Sequence, residues 1–464
     1  MGNQKSLLYL NGLDATTGHL LAAPTTYEEL MQQVLKIFAP EQRREEQESY
    51  RMERFAPFDE YKLDDPALAG WGLLVHAEEA EIMQERLASL IAHRQGRVLL
   101  YRDEPICEWK EKNCADTINP DRFPFYILIA GNPTRIPFEL QFSLAVLHAV
   151  GRIDFDDPND YVRYAKEVVD RENELTPTLG KRAVFFAPRH PGDYPTSQSS
   201  QRLVRPLLDQ LPASVSADIK FDALIGYAAT KDRLIASLGA DESGQTPAFL
   251  FSAGHGAAVA SADFSQRTLQ GSIVCQDCEF PLTPQRRQGF ISGYDVSEGF
   301  SLPGGILFLF ACYGAGTRAH SDFVRFMPTE TGRQQLKATQ GKEDFVASLP
   351  KALLANPKGG AAAVVGHVDP AWVHSFIGPI TKERRIDPFG FTIARILRNN
   401  PVGFAVTAFN QRYSDLSVDL LSLIEDKEET GQLPDSLNFS DLWVCRNDAQ
   451  NYVIVGDPAV HLRF

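Results

Sequence analysis

The chain has 464 residues, of which 44% are hydrophobic, so it can bury a full core in roughly two or three domains. Its 46 basic and 60 acidic residues give a formal net charge of −14. This charge argues against a broad nucleic-acid surface, which needs clustered Lys and Arg, and gives no attraction to anionic lipid. A small basic peptide is a different partner, because a negative cleft would attract it.

No apolar run reaches the ~18 residues of a membrane-spanning helix, and the first residues lack the apolar stretch of a secretory signal. They do match the short N-myristoylation pattern, with Gly2 and Ser6 in place. Six cysteines in so long a chain are not typical of a disulfide framework. We therefore expect a protein of the reducing cytoplasm that has no membrane partner.

Residues 1–118 are more polar than the rest and are predicted to form a smaller, α-rich accessory region. Tyr27–Phe38 and Ala77–Arg94 have apolar residues at the three- and four-residue spacing of a helix. Gln42–Glu53 is strongly charged, which predicts a solvated helix. The motif-poor stretch Arg102–Asp121, which contains two of the cysteines, is interpreted as a linker.

From Phe123 onward, short apolar runs alternate with helical segments. Unbroken apolar strands separated by helices are typical of an α/β fold, with a mainly parallel sheet flanked by helices on both faces. We place a small preceding subdomain at 119–180 and the main domain at 181–464. The predicted strands are Pro124–Ala130, Ala183–Ala187, Ala248–Ser252, Ile306–Ala311 and Ala361–Val365.

Two of these strands end in a reactive side chain beside glycines. One is followed by Gly254, His255 and Gly256, and the other by Cys312. In a parallel sheet the carboxyl ends of the strands share the edge at which ligands bind. A thiolate is a nucleophile and an imidazole can exchange its proton, so the pair predicts a catalytic dyad. The amides of Gly256 and Cys312 would hold an oxyanion; the alternative is a structural thiol and a turn histidine.

The order of five segments resembles the caspase-fold cysteine peptidases, in particular their gingipain-like and CHAT-domain branch. Two of the segments are the strand-His-Gly and strand-Ala-Cys blocks. The resemblance covers residues 119–464, whereas 1–118 resemble no family. The other three segments are 137–164, Gly359–Trp372 and Val455–Leu462.

This resemblance implies hydrolysis of peptide bonds by a Cys–His dyad without a metal or an organic cofactor. Cys312 is then the nucleophile and His255 the general acid and base. Loops after neighbouring strands set specificity in this family, and here they offer Asp193, Asp369 and Trp372. Two carboxylates suit Arg or Lys, so we predict cleavage after a basic residue. For each Asp the alternative is a turn or cap, and for Trp372 it is the core.

Two other motifs give weaker signals. Gly314–Ala319 fits the dinucleotide pattern G-x-G-x-x-A, but no second strand with an acidic ribose ligand follows it. Cys275 and Cys278 could form half of a zinc site with Cys107 and Cys114. The spacing of the second pair differs, so a surface loop is favoured.

Two rival functions stay open. One is a non-catalytic caspase-like module that binds basic peptides or a partner protein, and the other is an acyltransferase or amidase with the same dyad.

A peptidase in the cytoplasm of its own cell also needs a mechanism that limits its activity. We expect Thr317–Asp344, a polar segment with five Lys and Arg residues, to be an irregular loop that covers the site or is cut by it. A regulatory partner that acts through residues 1–118 would serve the same purpose.

Overall fold

The computed structural model describes residues 7–10, 12–37, 62–114, 118–174, 179–378 and 383–464. The predicted helix at Gln42–Glu53 and the myristoylation pattern at Gly2 lie outside these residues. The strands in chain order are β1 Leu7–Leu8, β2 Gly12–Asp14, β3 Thr25–Thr26, β4 Trp71–His76, β5 Arg97–Tyr101, β6 Tyr126–Ala130, β7 Ala149–Ile153, β8 Leu179–Ala187, β9 Lys220–Ile225, β10 Thr246–Ala253, β11 Gly256–Ala258, β12 Ile273–Val274, β13 Phe290–Ile291, β14 Ile306–Phe310, β15 Gly316–Thr317, β16 Phe345–Val346, β17 Ala363–His367 and β18 Tyr452–Gly456.

Helices connect most of these strands. Within the described ranges, no helix combines the length and the apolar character needed to cross a bilayer. The α-helices are α1 Tyr27–Ile37, α2 Pro66–Ala69, α3 Ala80–Arg86, α4 Ala88–Arg94, α5 Ile106–Asn113, α6 Phe138–Ala145, α7 Pro158–Asn173, α8 Tyr194–Gln198, α9 Arg205–Gln210, α10 Lys231–Ser237, α11 Gln266–Leu269, α12 Gly293–Ser297, α13 Asp322–Phe326, α14 Glu330–Thr339, α15 Ser348–Leu354, α16 Asp387–Leu397, α17 Val402–Thr430 and α18 Ser436–Gln450.

Ten strands form one sheet in the order β5-β4-β6-β7-β18-β17-β14-β10-β8-β9. Eight of the nine neighbouring pairs are parallel, and the pair β17–β18 is antiparallel. The sheet therefore consists of two five-stranded parallel blocks that run in opposite directions. The predicted mainly parallel sheet is confirmed, and the carboxyl ends of β8, β10, β14 and β17 share one edge.

Helices cover both faces of this sheet. Along β6, Tyr126, Leu128 and Ala130 belong to one buried cluster, whereas Ile127 and Ile129 belong to another. Alternate residues of a strand point to opposite faces, so the two clusters lie on the two sides of the sheet. Residues of α7 fill the first cluster, and residues of α5 and α6 fill the second.

Residues 62–114 extend the main sheet. Strand β4 pairs in parallel with both β5 and β6, and the predicted helix at Ala77–Arg94 is present as α3 and α4. Strands on both sides of residues 118 and 180 thus share one sheet, and the boundaries themselves stay predictions. The sequence does not predict β4, because its six-residue apolar run directly precedes a longer helical pattern.

The segment Thr317–Asp344 is mostly helical, so the expectation of an irregular loop is wrong. It contains α13 and α14, and the buried Arg318 pairs with Glu139 at 2.8 Å. The ring of Phe326 packs edge to face on Trp443, with the ring centroids 4.8 Å apart. Aromatic burial and a paired guanidinium give this segment a fixed structure.

A buried ionic cluster ties residues 62–114 to the end of the chain. Arg94 donates two hydrogen bonds to Glu172, at 2.5 and 2.6 Å, and one from Nε to Asp457 at 2.9 Å. The indole N–H of Trp71 donates to the other oxygen of Asp457 at 2.8 Å. Since Asp457 is fully buried, loss of Arg94 leaves this carboxylate without its cation, whereas Glu172 retains the contact with His93 at 2.8 Å.

The substitution Arg94→Ala is expected to lower the free energy of unfolding by about 3 kcal/mol, because it uncovers buried negative charge. Urea unfolding measures this change. The matched control is Lys166→Ala, which breaks an exposed ion pair with Asp170 and is expected to leave stability unchanged. Equal losses in the two variants would contradict the structural role given to Arg94.

Candidate active site

Four polar side chains follow neighbouring strands at one edge of the sheet. Asp193 lies six residues after β8, whereas His255, Cys312 and Asp369 each lie two residues after β10, β14 and β17. These strands are adjacent, with Ala253 in register with Phe310. The sheet therefore brings the regions of all four residues to the same edge.

Gly256 places the His255 loop directly against the backbone of Cys312. The N–H of Gly254 donates to the carbonyl of Phe310 at 3.1 Å. A Cβ built on Gly256 would lie 1.9 Å from the carbonyl oxygen of Cys312, so no side chain fits there. His255 and Cys312 thus lie on backbones in contact. The oxyanion role of the Gly256 and Cys312 amides stays a prediction.

Asp193 orients the imidazole of His255. Nε2 of His255 lies 2.9 Å from Oδ2 of Asp193, and the histidine is 1% exposed. A carboxylate only accepts hydrogen bonds, so Nε2 carries the proton and Nδ1 is the basic nitrogen. Nδ1 is buried and has no hydrogen-bond partner within the described part of the chain. This is the arrangement in which a carboxylate prepares a histidine to act as a base.

Asp193 also caps α8, which is the alternative role considered for it above. Its carboxylate accepts from the backbone N–H of Thr196 at 2.9 Å and from the Thr196 hydroxyl. Burial alone would raise the pKa of Asp193, but the interactions with His255 and Thr196 outweigh it and lower the pKa to about 2. Sequence reasoning missed the bond to His255. The position of Asp193 three residues before Thr196 is typical of a helix cap. His255 is 62 positions away in the sequence, so no local pattern indicates its contact with Asp193.

The thiol of Cys312 is buried and protonated in this arrangement. Its Sγ accepts a hydrogen bond from the N–H of Ala371 at 3.2 Å. Burial raises the pKa of the thiol well above its usual range, and the Asp369 and Asp448 carboxylates raise it further, against the effect of the Ala371 N–H. Because a thiolate is the reactive form, Cys312 needs a base to become a nucleophile.

A strand that the sequence does not predict lies against Cys312. β2 pairs in parallel with β11, and a Cβ built on Gly12 would lie 3.0 Å from Sγ of Cys312. Next to it, Leu10 pairs antiparallel with Trp372. A three-residue strand has too few positions for a recognisable alternation, so no pattern in residues 1–118 indicates this contact.

Asp369 and Trp372 are buried, at 1% and 2% exposed. Oδ2 of Asp369 lies 3.8 Å from Arg318, and burial raises the pKa of Asp369 to about 7 although Arg318 opposes this. The ring of Trp372 packs 5.1 Å from that of Phe323. With Asp193 bound to His255 and Asp369 beside Arg318, neither carboxylate is available to a substrate cation here. The predicted pocket stays a prediction and requires one of them to change partners.

An open cleft of about 1000 Å³ adjoins Asp193. Its lining includes Arg189, His190, Asp193 and Tyr194. The ring of His190 stacks near that of His255, with the centroids 6.1 Å apart. Burial, with a smaller effect of His255, lowers the pKa of His190 to about 4, so this imidazole is neutral near pH 7. The cleft gives a ligand direct access to this part of the sheet edge.

The weaker motifs do not assemble into sites. Within the described ranges, no three His, Cys, Asp or Glu side chains come together as metal ligands. Cys114 and Cys275 pack in different buried clusters, which separates the two halves of the suggested zinc site. Gly316 pairs with Val346 in a two-stranded ladder instead of opening a helix toward a phosphate.

Comparison with known proteins gives limited similarity. No family model matches the chain, and no curated protein matches its sequence. A solved structure described as a protease is 9% identical, covers 85% of this chain and 78% of its own, and has a TM-score of 0.49. The structure of the Arg-specific cysteine proteinase gingipain R is 12% identical, covers 88% and 80%, and has a TM-score of 0.41. Similarity at this level assigns no role to any residue.

The substitution Asp193→Asn is expected to destabilise the protein more at pH 5 than at pH 3. The pKa of Asp193 is depressed from 3.8 to about 2, so its ionised form stabilises the fold above about pH 4. That contribution is lost as the pH falls toward 2. We expect a loss of about 2 kcal/mol at pH 5 and roughly half of it at pH 3. Urea unfolding at the two pH values measures it.

The same substitution in a His255→Gln background is the control, because the interaction with the imidazole is already absent there. In that background the difference between pH 5 and pH 3 is expected to shrink. If Asp193→Asn costs the same at both pH values when His255 is present, Asp193 is not held ionised by His255.

Proposed function

We propose that the protein is a cysteine endopeptidase with Cys312 as nucleophile and His255 as general acid and base. The observation that carries the proposal is the bond from Nε2 of His255 to Asp193, in a loop that contacts the backbone of Cys312. This bond leaves Nδ1 of His255 to accept the thiol proton. The link to the gingipain-like and CHAT-domain branch rests on the sequence resemblance alone.

The proposed reaction has two halves. First, Nδ1 of His255 takes the proton from Cys312, and Sγ attacks the carbonyl carbon while the amides of Cys312 and Gly256 hold the oxyanion. His255 then gives its proton to the leaving amine. In the second half, His255 takes a proton from water, whose oxygen attacks the thioester. The carbon–sulfur bond then breaks, the carboxylic acid product leaves, and His255 returns its proton to the departing thiolate, which restores the thiol. Asp193 stays ionised and acts as a positioning residue.

The proposed substrate is a protein or peptide with Arg or Lys before the scissile bond. The net charge of −14 favours the approach of such a peptide. Since Asp193 positions His255 in the proposed reaction, binding of the cation would fall to Asp369, which would have to leave Arg318. No disulfide joins any of the six cysteines, all of which lie in the described ranges, and we propose that the protein acts in the reducing cytoplasm.

A second candidate function is a non-catalytic module that binds a basic peptide or a partner protein. The buried, protonated thiol of Cys312 favours it, because a thiol that keeps its proton is a poor nucleophile. An acyltransferase would use the same dyad and differ in the group that accepts the acyl chain.

Slow hydrolysis of peptides by the full chain is expected to disappear in Cys312→Ala and in His255→Ala. In Asp193→Asn we expect kcat to fall by about 100-fold with a smaller change in KM, because the base loses its orientation while the substrate cleft remains. A fluorogenic library measures these rates. Cys107→Ala, which removes an exposed thiol, is the control expected to keep full activity.

The library also tests the predicted preference for basic residues, since its members vary at the residue before the scissile bond. Turnover after Arg or Lys supports this preference. Turnover after another residue is consistent with the catalytic dyad but contradicts the acidic substrate pocket. Turnover that persists in Cys312→Ala contradicts the peptidase proposal. Tight binding of basic peptides without turnover favours the second candidate.

A further inference from the structure

We propose that residues 7–10 and 12–22, named here the covering segment, lie across Cys312 in the way a peptide substrate would and thereby keep Cys312 latent. The inference rests on the proposed function, because it treats the surroundings of Cys312 as a substrate cleft. It identifies the ligand class of that cleft as an extended peptide, and the chain's own residues as its resident ligand.

The first step is the contact between Gly12 and the nucleophile. A Cβ built on Gly12 would lie 3.0 Å from Sγ of Cys312 and 3.5 Å from its Cβ. A reacting carbonyl has to approach a nucleophile to about 3–3.5 Å. The Cα of Gly12 is one covalent bond from that built atom, so the main chain at Gly12 borders the space in which a reacting carbonyl would lie, and a larger residue there would crowd the sulfur.

The second step is main-chain pairing on both sides of this contact. Gly12, Leu13 and Asp14 pair in parallel with Gly256, Ala257 and Ala258, the residues directly after His255. On the other side, the strand partner of Leu10 is Trp372, the residue after the Ala371 amide that binds Sγ. Addition of an extended chain to exposed strand edges is a general mode of peptide recognition. A substrate that used these edges would have to displace the covering segment.

The covering segment also makes contacts with residues other than Cys312. Leu13 pairs with Leu20 in a short hairpin, and the N–H of Ala15 donates to the carbonyl of Ala258 at 2.9 Å. The Tyr9 and Tyr194 rings lie 4.6 Å apart, next to Asp193. None of these contacts is a strand pair within the ten-stranded sheet. Such a segment can open locally without unfolding the domain.

The register of the covering segment indicates what the cleft accepts. An apolar side chain lies at the position paired with Trp372, where Leu10 is buried at 3% exposed. Two residues further along the chain, a glycine lies against the sulfur. The expected ligand is therefore an extended peptide with Leu or a similar residue two positions before Gly.

The test is the alkylation rate of Cys312 by iodoacetamide in the full chain, followed by mass spectrometry of the Cys312 peptide. Gly12→Val places two methyl groups against Sγ and is expected to raise this rate by about tenfold. Gly390→Val is the matched control, because a Cβ at Gly390 meets only Leu207, at 3.7 Å. Circular dichroism establishes that each variant is folded. Leu10→Ala, which weakens the contact with Trp372, replaces Gly12→Val if the latter does not fold.

A synthetic peptide of residues 7–16 is then added to the variant, with a scrambled peptide as control. We expect the peptide with the native sequence to slow alkylation of the variant toward the wild-type rate, and the scrambled peptide to have no effect. Equal alkylation rates in wild type and variant, or equal effects of the two peptides, would overturn the inference. Alkylation of Cys312 requires no catalytic turnover. If the variant is alkylated faster than the wild type but neither hydrolyses peptides, this inference is retained and the peptidase proposal is contradicted. If wild type and variant are alkylated at equal rates but hydrolyse peptides in a Cys312-dependent way, this inference is wrong and the proposed function is retained.

Discussion

The backbone of Gly256 lies so close to the carbonyl of Cys312 that no side chain fits between them. This contact determines much of the site, because it fixes the loop that carries His255 against the end of the strand that carries Cys312. The same loop continues into β11, whose edge accepts β2 and brings Gly12 to the sulfur. One close approach of two backbones thus positions His255, Cys312 and the covering segment.

The electrostatics of the site follow from burial. Asp193 is ionised because its hydrogen bonds outweigh its desolvation, whereas the Cys312 thiol stays neutral because it is buried and because the Asp369 and Asp448 carboxylates raise its pKa further. In the proposed reaction, proton transfer from Cys312 to His255 is therefore the costly step, and a substrate that displaced the covering segment would also change the surroundings of the thiol. The proposed latency and the proposed catalysis then depend on the same contacts of Sγ.

The sequence was sufficient for a mainly parallel sheet, for five of its ten strands and for the position of His255 and Cys312 after two of them, because apolar strands and the residues at their ends follow local rules. It was insufficient where a residue has a distant partner. Asp193 has the sequence position of a cap, and its partner His255 is 62 residues away. Asp369 is beside Arg318, which the sequence placed in an irregular loop. β2 is three residues long and has no pattern of its own, so its position depends entirely on the edge that it pairs with.

The most direct test of the account is to map which cysteine a peptidyl acyloxymethyl ketone modifies. The reagent carries an electrophile at the position of the scissile bond, so it reports an activated nucleophile in a peptide cleft. In the Gly12→Val protein we expect one adduct, on Cys312, and none when His255 is also replaced by Ala. An adduct on an exposed thiol such as Cys107 with Cys312 unmodified, or a Cys312 adduct that persists without His255, would contradict the account.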